Sequence, residues 1–199
     1  MKYTLYLLLT TVLIALHSSC VKRNLIPAEF NEGEILFQTI KKRPAQIDTH
    51  FTLIIVKKNK VKTLFIGQRP HFATVRDLGD STVRRIYLSH GSKKTFYYQD
   101  TSNKTMILLK NMPAYKDTSF WNLPAVKYLF LQKDKRFRFC VLKDVDISAD
   151  YVQDLPILSG CKIDRFPVWI EAAGDTLQIV SQLIRIEEKD IADIEFEYP

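Results

Sequence analysis

Glycine is scarce in this 199-residue chain, 6 in all, too few for a glycine-rich loop that cradles phosphate through its backbone. Cysteine is scarcer still, at 3, which excludes the disulfide framework of small secreted domains. A chain of this length buries about 70% of its unfolded surface and needs no such staple. The 4 histidines form no His-Glu-x-x-His or other paired-His spacing, and there is no Gly-x-Ser-x-Gly nucleophile elbow. No apolar run reaches the about 20 residues of a membrane-spanning helix. There is no internal repeat and no low-complexity tract. At 46% hydrophobic, 12% aromatic and 26% charged, the composition excludes a disordered tail, a collagen and a coiled coil. One globular domain of about 170–180 residues remains, behind a short leader.

The leader has Lys2 as a basic start and an apolar run from Leu5 to Leu16, broken by Tyr6, Thr10 and Thr11. Its length is that of a secretory apolar region. Ser18 and Ser19 precede Cys20, with Leu16 and His17 upstream. This arrangement resembles the lipobox of bacterial lipoproteins, with His17 where an aliphatic residue is usual. The resemblance implies that residues 1–19 are a signal peptide and that Cys20 is lipidated and becomes the first mature residue. The other reading is an ordinary signal peptide cleaved near Ser19, with Cys20 incidental. Val21 is not the Asp of inner-membrane retention, and Val21-Lys22-Arg23-Asn24 is not the acidic cluster of surface export. The expected place is therefore the bacterial outer membrane, lipid-anchored and facing the periplasm. Residues 20–32 read as a tether and 33–199 as the domain.

Charge is unevenly distributed. From Cys20 to Lys143 there are 24 basic and 9 acidic residues; from Asp144 onward, 4 and 13. Either the basic part meets anionic head groups, or strands of the two parts pair and their charges face each other across one sheet. Nucleic acid is not an expected partner of an exported protein. Cys140 and Cys161 are a possible disulfide, which an oxidising compartment permits, or two free buried thiols. Neither has neighbours that would complete a zinc site, and no cofactor is expected.

From Gly33 onward the pattern is β. Glu34 to Lys41, Phe51 to Val56, Val61 to Phe65, Val83 to Ser89, Thr95 to Gln99 and Thr105 to Leu109 are short runs rich in aromatic and β-branched residues. Asn59-Lys60, His90-Gly91-Ser92 and Asp100 to Asn103 are the turns between them. Arg136 to Val141 alternates, with Phe137, Phe139 and Val141 on one face and Arg136, Arg138 and Cys140 on the other. Phe166 to Glu171 and Leu177 to Ile186 close the chain, and a slip in apolar phase predicts a bulge near Ser181–Leu183. Such spacing predicts a mainly β, α+β domain: a strongly curved antiparallel sheet or half-barrel. Between Met112 and Gln132, aromatic and aliphatic residues crowd together around Pro113 and Pro124. Ser119 as a cap and Pro124 in a first turn predict a short helical insert on the concave side, either plugging the core or lying as a mobile lid over a cavity. Asp144, Asp146, Asp150 and Asp154 form an acidic loop without the central Gly of a calcium loop.

The order of these features resembles that of poorly characterised Gram-negative envelope domains, the GLPGLI-like and related families. The lipobox is followed by Gly33-Glu34-Ile35, the strand of Cys140, Asp154-Leu155-Pro156, and Phe166-Pro167-Val168-Trp169-Ile170-Glu171. The chain closes with Ile184-Arg185-Ile186-Glu187 and Phe196-Glu197-Tyr198-Pro199. The departures are Phe137 in place of a Gly three before the cysteine, and Arg165-Phe166-Pro167 in place of Gly-Leu-Pro. Their proposed fold is similar to that of the LolA-LolB lipoprotein carriers, which implies a curved sheet with an apolar concavity that holds acyl chains. The expected function is then non-catalytic binding of a lipid or lipoprotein acyl chain. Phe120, Trp121, Leu123, Tyr128, Phe130, Phe137 and Phe139 are the candidate lining, and Lys133, Lys135 and Arg136 the candidate head-group contacts. The competing reading is an adaptor that binds another envelope protein through its sheet and takes no small ligand. A hydrolase with dispersed residues is a distant third.

Overall fold

The computed structural model describes residues 26–197 apart from 28, 68–70, 79–81, 90–91, 100–103 and 133–134; for 71–72, 82–89 and 92–99 it describes the backbone alone. Residues 1–19, Cys20 and Lys133 lie outside the described residues, as do the expected turns at His90-Gly91 and Asp100–Asn103.

Thirteen strands follow one another: β1 (Glu32–Arg43), β2 (Gln46–Lys57), β3 (Lys60–Ile66), β4 (His71–Asp77), β5 (Thr82–Ser89), β6 (Ser92–Gln99), β7 (Thr105–Ile107), β8 (Lys116–Phe120), β9 (Leu123–Gln132), β10 (Lys135–Leu142), β11 (Cys161–Ile163), β12 (Pro167–Ala173) and β13 (Gln178–Glu188). Eleven of them form one antiparallel sheet in the order β6-β5-β4-β3-β2-β1-β13-β12-β10-β9-β8. It is therefore an open sheet with β6 and β8 at its edges, rather than a closed barrel. The sheet consists of two meanders, and their one seam is the pairing of β1 with β13. β7 and β11 make a small parallel pair of their own.

Alternation assigns each residue to a face. Along β1, Ile35, Phe37 and Thr39 are buried on the inner face, while Glu34, Leu36 and Gln38 are half-buried on the outer one. Phe139, Ile170, Leu183, Ile54 and Val56 continue the inner face. What covers it is the segment between β10 and β12, where 3₁₀ turns at Ala149–Val152 and Pro156–Leu158 press Tyr151, Val152, Leu155 and Leu158 onto the sheet. Arg76 fastens this segment to β4, donating to the Asp150 carbonyl at 3.1 Å and pairing with Asp154 at 3.1 Å. Phe30 meets the ring of Tyr151 edge-on at 6.1 Å, and Ile26 is also buried, so the packed domain begins within the expected tether.

Two expectations are corrected, and the bulge expected near Ser181–Leu183 is present. Met112–Gln132 carries no helix: β8 and β9 form a hairpin through Trp121 and Asn122, both at positive φ (49° and 65°), the geometry of a tight two-residue turn. Two 3₁₀ turns that cover the inner face instead come from the Asp144–Asp154 region and just after it, which read as an acidic loop. The turn after β2 is Lys58-Asn59, one residue earlier than expected, with Lys58 at φ 52°. The bulge in β13 falls at Ile184, because Leu36 pairs with Arg185 and Phe37 with Leu183.

On the outer face, the C-terminal residues 189–197 cross β2 and β3 as a strap. Ile191 and Phe196 bury Ile55 and Val75. Lys57 holds the strap by donating to the Ile191 carbonyl at 2.6 Å and pairing with Asp193 at 2.9 Å. Lys62, almost wholly buried, donates to the Glu195 carbonyl.

Candidate functional site

The covering segment fills the middle of the inner face. Phe37, Phe139, Ile170 and Leu183 are fully buried there, so the broad apolar concavity implied by the sequence resemblance is closed over the centre of the sheet. An opening persists at one end. There the β12–β13 turn stands away from the 3₁₀ turn at Pro156–Leu158 and leaves a recess of about 250 Å³. Phe137, Ala172 and Ile179 form its floor, Pro156 and Ile157 one wall, and Leu177 the other, with Lys135 at its mouth.

Local sequence explains the recess. Ala172 and Ala173 follow the bulky Trp169-Ile170-Glu171 run, so the sheet loses side-chain volume where β12 ends. Gly174-Asp175 then turns the chain, closed by the Gly174 amide donating to the Leu177 carbonyl at 3.0 Å. Pro156 at the first position of its 3₁₀ turn fixes the backbone and holds Ile157 over Phe137. The surface is thus apolar with one cation at its rim, the composition of a small-ligand site with a single orienting group.

The expected site residues are divided by this geometry. Phe137 and Lys135 come together in the recess. Phe130 lies behind Phe137, with ring centroids 6.3 Å apart, and Phe139 stacks on Phe137 at 6.2 Å but is fully buried. Tyr128 is a packing residue whose hydroxyl accepts from Arg165 at 3.1 Å. Phe120, Trp121 and Leu123 do not reach the recess: they stand around the β8–β9 turn, about 30 Å from the far end of β9. Arg136 points to the outer face, opposite Leu131. Pro156, Ile157, Ala172, Leu177 and Ile179 escaped the sequence reading. The Ala-Ala-Gly turn at the end of a bulky strand was the available signal for them.

Cys140 and Cys161 are not bridged. Both are buried and free. Cys140 lies on the outer face of β10 opposite Trp169 and Lys127, whereas Cys161 points its Sγ at Gln132 on the inner side, 3.9 Å from Oε1. Burial pushes both thiols up, so neither is a ready nucleophile. Among the described residues, no group of three or more His, Cys, Asp or Glu side chains is placed to hold a metal ion. A broad acidic depression at the opposite end is lined by Glu29, Glu32, Glu188, Lys189 and Asp190. Glu32 accepts from the Ile191 amide at 2.7 Å, and Lys189 in the same lining pairs with Glu34 at 2.7 Å.

No protein-family model matches the chain, and no curated protein matches its sequence. Among solved structures it is similar to PNGF-II in two crystal forms, at 7% and 6% identity with a TM-score of 0.47 in each. These alignments cover 82% and 84% of this chain but 29% and 30% of PNGF-II, so the chain spans about three-tenths of that protein's length. It is also similar to a LolA superfamily protein, NE2245 from Nitrosomonas europaea, at 8% identity and a TM-score of 0.40, over 90% of this chain and 96% of that one.

Proposed function

We propose that this protein is a non-catalytic binder of an apolar ligand, the acyl chain of a lipid or lipoprotein, held in the recess beside Phe137. The observation that carries the reading is the recess itself: an apolar hollow with Lys135 at its mouth, beside an inner face filled at Phe37, Phe139, Ile170 and Leu183. At about 250 Å³ it is slightly below the range of about 300–1,000 Å³ usual for ligand pockets, so it suits part of one chain rather than a whole lipid. Each methylene moved out of water contributes about 0.8 kcal/mol. Lys135 meets the carboxylate or phosphate that stays outside. With the lipobox-like leader, the reading is a lipid-anchored envelope protein of the outer membrane, working in the periplasm.

Native mass spectrometry of protein purified without detergent, together with displacement of a fluorescent fatty acid, tests this. Wild type retains or takes up an acyl chain, and Ala172→Trp, which fills the floor, weakens probe binding by roughly tenfold or more. Equal binding by Ala172→Trp, or none by wild type, sinks the proposal. The adaptor reading has its own support in the outer face, where Phe51 and Ile66 pair across β2 and β3 and both are exposed. Absence of lipid together with a stable protein complex lost on Phe51→Ser favours it.

A further inference from the structure

The outer face at the recess end carries an unusual line of residues. Ile47 pairs with Lys42, Lys42 with Gln178, Gln178 with Ala173, Ala173 with Arg136, and Arg136 with Leu131. Six residues from six adjacent strands therefore lie in one straight row, about 24 Å long at the usual strand spacing. Both ends are exposed aliphatics, Ile47 at 69% and Leu131 at 66%. Inside them are two exposed cations, Lys42 and Arg136. The row contains no acid, and neither cation forms an ion pair among the described residues.

The next row inward shows what neutralisation looks like on this sheet. It runs Thr49, Ile40, Val180, Glu171, Arg138, Leu129, and there Arg138 is paired with Glu171 at 3.3 Å. Among the described residues of the rim row there is no counterpart to Glu171. Two unpaired cations flanked by two solvated aliphatics fit a partner that offers negative charge and apolar depth on the same flat surface. A polyanion such as nucleic acid supplies the charge but has no place for Ile47 and Leu131. Gln178 and Ala173, half-buried in the middle of the row, add neither an acid nor a further cation to it.

We propose that this row docks the protein, recess end first, onto an anionic phospholipid surface, Lys42 and Arg136 meeting phosphates while Ile47 and Leu131 enter the interface. The proposal shares its lipid chemistry with the recess but rests on different residues and a different face.

The test is partition of the full-length protein onto vesicles of phosphatidylcholine alone or of an equal mixture with phosphatidylglycerol. Any contribution of a lipid anchor is common to both, so the reading is the increment on the anionic vesicles. Wild type gains roughly tenfold there, and the gain shrinks as salt is raised. The pair Lys42→Glu and Arg136→Glu abolishes the increment, and Ile47→Ser with Leu131→Ser reduces it at every salt concentration. All four positions are exposed, so circular dichroism is expected to match wild type; if a pair misfolds, the salt dependence of wild type still decides. No anionic increment, or an increment unchanged in the charge-reversed pair, overturns the proposal. So does an increment that survives loss of both aliphatics while free RNA competes it away, which assigns the row to polyanions. Ala172→Trp dims acyl binding and leaves the increment intact, so failure of the recess and failure of the row are separately visible.

Discussion

His50 shows how a single residue ties this sheet to acidity. It lies on the inner face of β2, buried, with Nε2 lacking a hydrogen-bond partner. Burial disfavours its charged form, and nearby Lys41 adds to the effect, so its pKa is lowered from 6.5. The unfolded chain then binds a proton at a higher pH than the folded one. Stability is intact above the ordinary histidine value and is lost as pH falls below it, until the folded-state value is passed. Urea unfolding between about pH 7 and 5 is expected to show this loss, with a shallower slope in His50→Gln. An identical slope in both would assign the acid sensitivity elsewhere. Gly33 shows a different constraint. Its φ is 142°, and a Cβ there would run into the Glu187 carbonyl, so the β1–β13 seam closes over a position that only glycine fills.

The β8–β9 hairpin is the element that most clearly departs from expectation. Its two turn residues both have positive φ, where Asn is tolerated and a bulky side chain is strained. Asn122→Gly is expected to be neutral or slightly stabilising, whereas Trp121→Val, β-branched at φ 49°, adds strain to what Trp already bears there and is expected to be destabilising. Chemical denaturation of the two variants checks both signs, and a more stable Trp121→Val would refute the strain argument. The reason this hairpin reads as a helix is physical. Tyr128 and Phe130 face inward while Leu129 and Leu131 face outward, so no polar residue marks the period of two. Trp-Asn is not the Asn-Gly that announces a two-residue turn. By contrast, β1, β10 and β13 were legible to within two residues, Phe137 and Phe139 alternating with Arg136 and Arg138, whereas only the second half of β2 was read. β4 was not recognised: Ala73, Thr74, Val75 and Arg76 are all buried, the pattern of a strand covered on both faces. The same logic governs the candidate site. Phe137 and Lys135 are readable from the alternation of β10, whereas Pro156, Ile157 and Leu177 arrive from distant turns and no local period announces them.

At the scale of the molecule, the uneven charge of the sequence is reconciled by pairing. Lys57 with Asp193, Lys62 with Glu195, Arg76 with Asp154 and Arg138 with Glu171 each join the basic part of the chain to the acidic part. Among the described residues, Lys42 and Arg136 of the rim row stand outside this compensation. Among the described residues the strands of the two meanders pair with each other only at β1 and β13, supported by Thr39 and Ser181, whose buried hydroxyls are 3.0 Å apart. A chain ending after Asp175 loses β13 and with it the seam. It is expected to lose cooperative unfolding, with a urea slope well below that of the full chain, because less surface is buried in one unit. A truncated chain that keeps the full slope would show that one meander is the cooperative unit by itself.

The same seam sets a schedule during synthesis. β1 is the first strand made and β13 the last, about 145 residues later, so one side of β1 emerges from the ribosome with its amides and carbonyls unsatisfied. At the usual elongation rates of about 5–20 residues per second, that edge stays open for roughly 7–30 s. Ile35 and Phe37, later at the centre of the core, spend this interval on a strand that any second extended segment is able to zip against. A nascent chain of this design needs a holdase, or rapid capture by β2 and its meander, before its final strand exists.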